Sequence, residues 1–129
     1  LLIADLDNFK RINDRYGHPC GDYVLKEVSI QMTGAFPDAA GIGRIGGDEF
    51  GLLIDVEEET CLESSIQQLI CAVSKITWHG LPLEAGCSFG ICRINRPGVT
   101  YDQLYAEADR ALYQAKRNGK NQLSIRCLE

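Results

Sequence analysis

The sequence predicts a mixed α/β domain, and three observations lead there. Short apolar and β-forming runs alternate with stretches whose apolar residues recur at helical spacing. Glycine-rich turns of the hairpin type separate several of them. The chain has 129 residues and is 45% apolar, enough for one hydrophobic core and too short to expect a second domain.

Taken in order, Leu1-Leu2-Ile3-Ala4 is a buried-strand candidate running straight into an acidic loop, Asp5-Leu6-Asp7. Phe9, Ile12 and Tyr16 then recur at helical spacing until Gly17 stops the pattern. A second helix follows Gly21, with Leu25, Val28, Met32 and Phe36 on one face, and ends before Pro37 and Asp38. Residues 42–54 set apolar runs on either side of Gly46-Gly47-Asp48-Glu49. Glycine accepts the positive φ of a tight hairpin turn, so this stretch predicts a β-hairpin with an acidic tip. Thr60 and Glu63 form a capping box for a third helix with Leu62, Ile66, Leu69, Val73 and Ile76 on its apolar face. A small second hairpin turns near Gly80, and a strand runs from about Gly86 to Ile94. Thr100 and Gln103 cap a last helix whose Leu104, Ala108, Ala111, Leu112 and Ala115 make a small-residue face. Asn118-Gly119 ends it, ahead of a final strand at residues 123–125. No internal repeat, low-complexity tract or linker interrupts the chain, so residues 1–129 read as one domain.

A net charge of -5 gives no general attraction to nucleic acid or to an anionic membrane, so a phosphate-bearing ligand has to be held by local chemistry. No apolar run approaches the roughly 18 to 20 residues that span a bilayer, and the N-terminus has no signal pattern. The expectation is a soluble, cytoplasmic domain with no membrane contact and no nucleic-acid partner. Cysteines at 20, 61, 71, 87, 92 and 127 form no C-x-x-C pair and have no histidine at ligand spacing. They are expected to be free thiols in a reducing compartment, serving as small buried apolar residues. An apolar start at Leu1 in place of a Met suggests an excerpt from a longer polypeptide.

The acidic residues carry the chemistry. Asp5 ends a buried strand, while Asp48 and Glu49 sit at a hairpin tip that could pair in the same sheet. With the hairpin beside the first strand, three carboxylates converge, and a hard divalent cation is the usual compensation. Free amides at the start of the first helix, near residues 7–10, would suit a triphosphate, and Gly46 and Gly47 would let a nucleotide lie against backbone. Paired metals stabilise attacking and leaving oxygens, so nucleotidyl transfer is the leading reaction class. Plainer readings exist for each residue. The tip could be a solvated turn, Asp5-x-Asp7 a helix cap and Asp22 a cap of the second helix. Lys10, Lys116 and Lys120 could be surface charges. Asn13 is a poor helix former and calls for a reason.

The residues nevertheless resemble a known family. Gly46-Gly47-Asp48-Glu49-Phe50 is the motif for which GGDEF domains, the diguanylate cyclases, are named. Asp5-x-Asp7-x-Phe9-Lys10-x-x-Asn13-Asp14-x-x-Gly17-His18-x-x-Gly21-Asp22 resembles that family's first motif. Ala108-Asp109-x-Ala111-Leu112-Tyr113-x-Ala115-Lys116-x-x-Gly119-x-Asn121 resembles its C-terminal one. The resemblance implies a central, mostly antiparallel five-stranded sheet flanked by helices, similar to the palm of nucleotide cyclases and polymerases. It implies that two domains, each holding one GTP, meet as a homodimer to make cyclic di-GMP and two pyrophosphates. By position, Asp5, Asp48 and the Leu6 carbonyl would ligate magnesium, with manganese the alternative ion. Glu49 would lie beside the metals and help deprotonate the 3'-hydroxyl, so that Asp5, Asp48 and Glu49 form the catalytic set. Asn13 and Asp22 would bind the guanine edge. Phe9 and Lys10, through their amides, and Lys116 and Lys120 would hold phosphates, with Gly46 and Gly47 against the nucleotide.

The resemblance also implies an upstream sensory or regulatory domain, and a short lead-in segment that would lie before residue 1. Two departures stand out. Where many members carry an inhibitory R-x-x-D, this chain has Pro37-Asp38-Ala39-Ala40, so inhibition by product is expected to be absent. Lys120 stands where an Arg is often seen, keeping the charge without the bidentate fork. The competing expectations are a catalytically inactive GTP-binding regulatory module and a palm-like enzyme acting on another nucleotide. Asn13 and Asp22 weigh against the latter.

Overall fold

The fold is organised around its first strand, β1 (Leu2–Asp7), which alternates between two cores. Leu2, Ala4 and Leu6 enter the larger core, Ile3 enters a smaller one on the opposite face, and Asp5 and Asp7 share the face of Ile3. These features come from a computed structural model describing residues 1–55 and 59–128, with 59 and 60 described by backbone alone. β1 is central because it pairs antiparallel on both sides, with β3 (Glu49–Leu53) and with β6 (Gly86–Ile94). β2 (Gly41–Gly46) completes the hairpin with β3, and β7 (Leu123–Leu128) joins the far edge, giving the order β2-β3-β1-β6-β7.

The expected five-stranded, mostly antiparallel sheet is therefore present, with one parallel pair, β6 and β7. That pair is parallel because α4 (Tyr101–Arg117) lies between the two strands in sequence and makes the crossover. The small peripheral hairpin, β4 (Thr77–Trp78) with β5 (Leu81–Pro82), turns through His79 and Gly80, both with positive φ.

On one face of the sheet, α2 (His18–Ala35) and α3 (Glu59–Ser74) bury Val24, Val28, Met32, Ile66 and Val73 against Leu2, Leu52 and Phe89. On the other, α4 packs with Leu104, Ala108 and Leu112 against Ile3 and Cys92. Its small-residue face has a geometric purpose: a Cβ at Gly90 of β6 would lie 2.1 Å from the Ala108 carbonyl oxygen and 2.3 Å from the Leu112 nitrogen. The α4 backbone thus rests directly on the strand. Its predicted capping box is formed, Gln103 N donating to Thr100 Oγ1 (3.2 Å) and Thr100 N to Gln103 Oε1 (3.0 Å).

Several expectations are corrected. Asp5-Leu6-Asp7 belongs to β1 and is not a loop, because neighbours on both sides keep the backbone extended. α1 (Phe9–Tyr16) and α2 are separated only by Gly17, and α2 starts at His18 with Pro19 in its first turn instead of after Gly21. β7 runs on to Leu128 because β6 offers it a parallel partner that far. The Thr60–Glu63 capping box depends on the Thr60 side chain, which lies outside the described residues. Among the described residues no disulfide joins the cysteines, but only Cys20, Cys87 and Cys92 are buried; Cys61, Cys71 and Cys127 are exposed. Among the same residues no helix is long and apolar enough to cross a membrane.

Candidate active site

Sheet register builds the acidic cluster. Asp5 lies directly opposite Glu49, and the Leu6 N–H donates to the Asp48 carbonyl at 3.1 Å, tying the hairpin tip to the end of β1. Gly47 turns the tip with φ +50, a conformation that favours glycine. A Cβ at Gly46 or Gly47 would meet no protein atom within 4 Å, so the backbone of the tip is open to an approaching ligand.

The expectation of three converging carboxylates needs correction. Among the described residues no three His, Cys, Asp or Glu side chains come together as a metal-holding group. Two of the acids have taken other partners: Lys116 Nζ lies 2.5 Å from Asp5 Oδ2, and the Tyr105 hydroxyl donates to Glu49 Oε1 at 2.8 Å. The Lys116 and Asp5 side chains are 34% and 15% exposed, so the pair is partly desolvated and not a loose surface bridge. Burial is the main reason the Asp5 carboxyl is held above its ordinary range. Lys116 opposes that rise, and the negative charges of Asp48 and Glu49 add to it. For Lys116, burial pulls down, but the hydrogen bond and charge of Asp5 win and the ammonium is strengthened. Both partners thus move upward, which is physically consistent because burial drives the Asp5 carboxyl up while Lys116 gains from the charges of Asp5, Asp7 and Asp48.

A cation fits this arrangement on one specific ground. Asp5 Oδ1 is buried and, among the described residues, is the side-chain polar atom left with no hydrogen-bond partner. A carboxylate oxygen in that state calls for a positive charge. Asp48 and Leu6 line the neighbouring cleft, and with Asp5 they would offer oxygens only, the donor type that suits a hard divalent ion.

Leu6, Phe9, Lys10, Asp48, Lys116 and Lys120 line a single cleft of about 700 Å³. It opens at the start of α1, whose cap residue Asn8 has a left-handed backbone and makes no side-chain cap, so first-turn amides are left for a ligand. Arg11 and Arg15 line the same cleft and were not singled out from the sequence. Their i, i+4 spacing just beyond Lys10 was the available signal. Asp22 is elsewhere, in a cleft of about 450 Å³ between α2 and the β2–β3 hairpin, with Lys26, Arg44 and Phe50. Asn13 lines neither cleft but presses on Gly21, where a Cβ would fall 1.8 Å from its Oδ1. Asn13 therefore sits beside the residue that precedes Asp22. The capping readings fail: Asn8, not Asp5 or Asp7, precedes α1, and Asp22 is the fifth residue of α2.

Asp7 has a role that the sequence did not disclose. It is 4% exposed and accepts from the Ser88 hydroxyl (2.8 Å) and the Asn121 N–H (2.9 Å). Asn121 Oδ1 in turn accepts from the Cys87 N–H at 3.2 Å. This network ties the turn after α4, where Lys120 and Asn121 both have positive φ, to the sheet, and so aims Lys120 at the cleft. Asp7→Ala is expected to lower stability by about 1–3 kcal/mol, since the buried Ser88 hydroxyl loses its acceptor and the Asn121 N–H keeps only Ser88 Oγ, at 3.0 Å. A denaturant titration reads this directly, and an unchanged midpoint would count against the network.

Comparison with known proteins follows the same lines. The profile of the family described as "Diguanylate cyclase, GGDEF domain" matches residues 1–122. Diguanylate cyclase DgcS of Shewanella oneidensis is 38% identical over 125 residues, covering 94% of this chain and 40% of its own length. Diguanylate cyclase DgcP of Pseudomonas aeruginosa is 36% identical over 129 residues, covering 97% of this chain and 19% of its own length. The chain thus spans well under half the length of these relatives. Among solved structures, the active GGEEF domain of a diguanylate cyclase from Vibrio cholerae superposes with a TM-score of 0.85 at 28% identity, over 96% of this chain and 80% of that one.

Proposed function

Because the chain belongs to the GGDEF family of diguanylate cyclases, we propose that it condenses two molecules of GTP into cyclic di-GMP and two pyrophosphates. The observation that carries this reading is the buried Asp5 Oδ1, without a hydrogen-bond partner among the described residues, on the strand paired with the hairpin whose Asp48 lines a cleft with Lys10, Lys116 and Lys120.

In this reading the chain's own groups divide the work. Lys10, Lys116, Lys120 and the amides at the start of α1 hold the triphosphate. Lys116 exchanges its Asp5 partner for a phosphate oxygen as nucleotide binds. Asp22, with Asn13 beside it, accepts from and donates to the guanine edge. Leaving either group unpaired with another base costs about 1–3 kcal/mol, which is the source of base selection. Asp5, Asp48 and the Leu6 carbonyl would hold magnesium or manganese, which supplies charge neutralisation at the phosphates and a more acidic 3'-hydroxyl. Glu49 takes the proton from that hydroxyl. The 3'-oxygen forms a bond to the α-phosphorus of the other GTP, the bond to the bridging oxygen breaks, and pyrophosphate leaves with the electron pair. Two such steps close the ring. One domain holds one GTP, so a homodimer places the two reactants within reach. We assign the domain to the cytoplasm, where GTP is present, under the control of another domain of a longer protein.

The test is to incubate the chain with GTP and magnesium, at a concentration high enough for domains to meet, and to separate the products. Cyclic di-GMP and pyrophosphate are expected. GTP that is bound and never consumed would select the regulatory module instead, and turnover of ATP would select another nucleotide enzyme.

Pro37-Asp38-Ala39 lines a cleft of about 510 Å³ with Phe36, Ile54 and Leu62, and among the described residues no arginine lines it. Recognition of a cyclic dinucleotide's phosphates there would lack its bidentate partner. Micromolar cyclic di-GMP is therefore expected to leave the initial rate unchanged. A falling maximal rate with unaltered KM would contradict this.

A further inference from the structure

We propose that Tyr105 is a positioning residue for Glu49, fixing that carboxylate in the orientation from which it accepts the 3'-hydroxyl proton. The inference rests on the cyclase reading above, but the contact itself does not. The Tyr105 hydroxyl donates to Glu49 Oε1 at 2.8 Å.

Both ends of this contact are anchored. Tyr105 lies on α4 next to Leu104, and its ring packs against the core of Ile3, Cys92, Ala108 and Leu112, with the Tyr101 ring 6.1 Å away on its other flank. The helix under it rests on Gly90 with no intervening side chain. Glu49 is equally fixed in backbone, opposite Asp5 on one side and Gly46 on the other. A rigid phenol carried by one helix therefore meets a carboxylate on a paired strand. Its single proton occupies Oε1 and leaves Oε2 available for a second partner. The phenol stays a donor throughout the neutral range: hydrogen bonding to Glu49, followed by burial and by the charges of Glu49 and Asp109, pushes it up to about 12. Without this bond Glu49, half-buried and opposite Asp5 in the sheet, would be free to turn away from that acid, since like charges repel. Holding a group in reactive geometry is worth a substantial share of a rate enhancement.

Tyr105→Phe removes only the oxygen. The expected result is a 10- to 100-fold fall in kcat, on the order seen for groups that orient a catalytic ligand, with KM for GTP within about twofold because no substrate contact is lost. In a Glu49→Gln background the same substitution should change the residual kcat by less than twofold, since Tyr105 acts only through Glu49. An equal loss in both backgrounds, or a raised KM at unchanged kcat, would overturn the proposal. A second readout needs no turnover. In protein carrying ¹³Cζ-labelled tyrosine, the Tyr105 resonance, identified by its disappearance in Tyr105→Phe, should move on Glu49→Gln and hold still on Asp22→Asn. A resonance indifferent to Glu49→Gln overturns the proposal even if the wild type consumes no GTP. Absence of turnover alongside a resonance that moves would instead sink the cyclase reading and leave the contact standing.

Discussion

Asp48→Ala is expected to reduce cyclic di-GMP formation by about 100- to 1000-fold or more, the range for removing a group that stabilises developing charge. Asp48 tethers the hairpin tip to β1 through its carbonyl oxygen, which accepts from the Leu6 N–H and survives the substitution. The turn at Gly47 survives too, because its positive φ belongs to the glycine. What disappears is one carboxylate of the oxygen set around Asp5. The fold should be unharmed, with stability within about 0.5 kcal/mol of the wild type. The repulsion of Asp5 that is removed is offset by the attraction to Lys116 that is lost. The measurements are product formation by chromatography and a thermal melt on the same preparation. Equal rates for wild type and Asp48→Ala would remove Asp48 from the chemistry, and with it the assignment of the tip to the metal.

Gly90→Ala should be the most damaging single methyl in the domain. Replacing glycine with alanine in a strand ordinarily helps by reducing the freedom of the unfolded chain. Here the added Cβ would meet the Ala108 carbonyl oxygen at 2.1 Å, the Leu112 nitrogen at 2.3 Å and the Leu112 Cα at 2.7 Å. All three atoms are backbone, so no rotamer change relieves the contact and the helix itself must move. Overpacking of this kind costs about 1–3 kcal/mol and sometimes more, a fall in Tm of roughly 5–15 °C for a domain of this size. Turnover should fall as well, because α4 carries both Lys116 and Tyr105. Circular dichroism melts and a GTP assay check the two halves separately. An unchanged Tm would mean that α4 does not rest on β6 as described.

Much of the site was legible because its residues come in contiguous blocks. The Gly-Gly-Asp-Glu tip and the acidic end of the first strand could be read from local spacing, while Lys116 at the end of α4 and Lys120 just after it were assigned through the family resemblance. Leu6, Phe9, Lys10, Asp48, Lys116 and Lys120 do share one cleft. Tyr105 and the Asp7–Ser88–Asn121 network were not legible, for the same reason in both cases. The partners of Tyr105 and Asp7 are 56 and at least 81 residues away in the chain, and no periodicity within one element points to them. Reading Asp5-Leu6-Asp7 as a loop hid Asp7 further, since only an extended strand places it on the same face as Asp5, opposite the β6 residues that satisfy it.

The sequence alone determined the succession of helices and strands, the hairpin at Gly46-Gly47, the helix caps at Thr100 and Gln103 and the family to which the motifs belong. The family came from the resemblance of whole motifs; the rest follow from local rules of dihedral preference, capping and side-chain period. The tertiary structure decided which charges meet. Asp5 is paired with Lys116, Glu49 with Tyr105, and one oxygen of Asp5 has no hydrogen-bond partner among the described residues. Those outcomes depend on α4 crossing over the sheet and settling onto Gly90, a packing event among distant segments whose geometry is set by backbone contact and not by the order of residues along the chain.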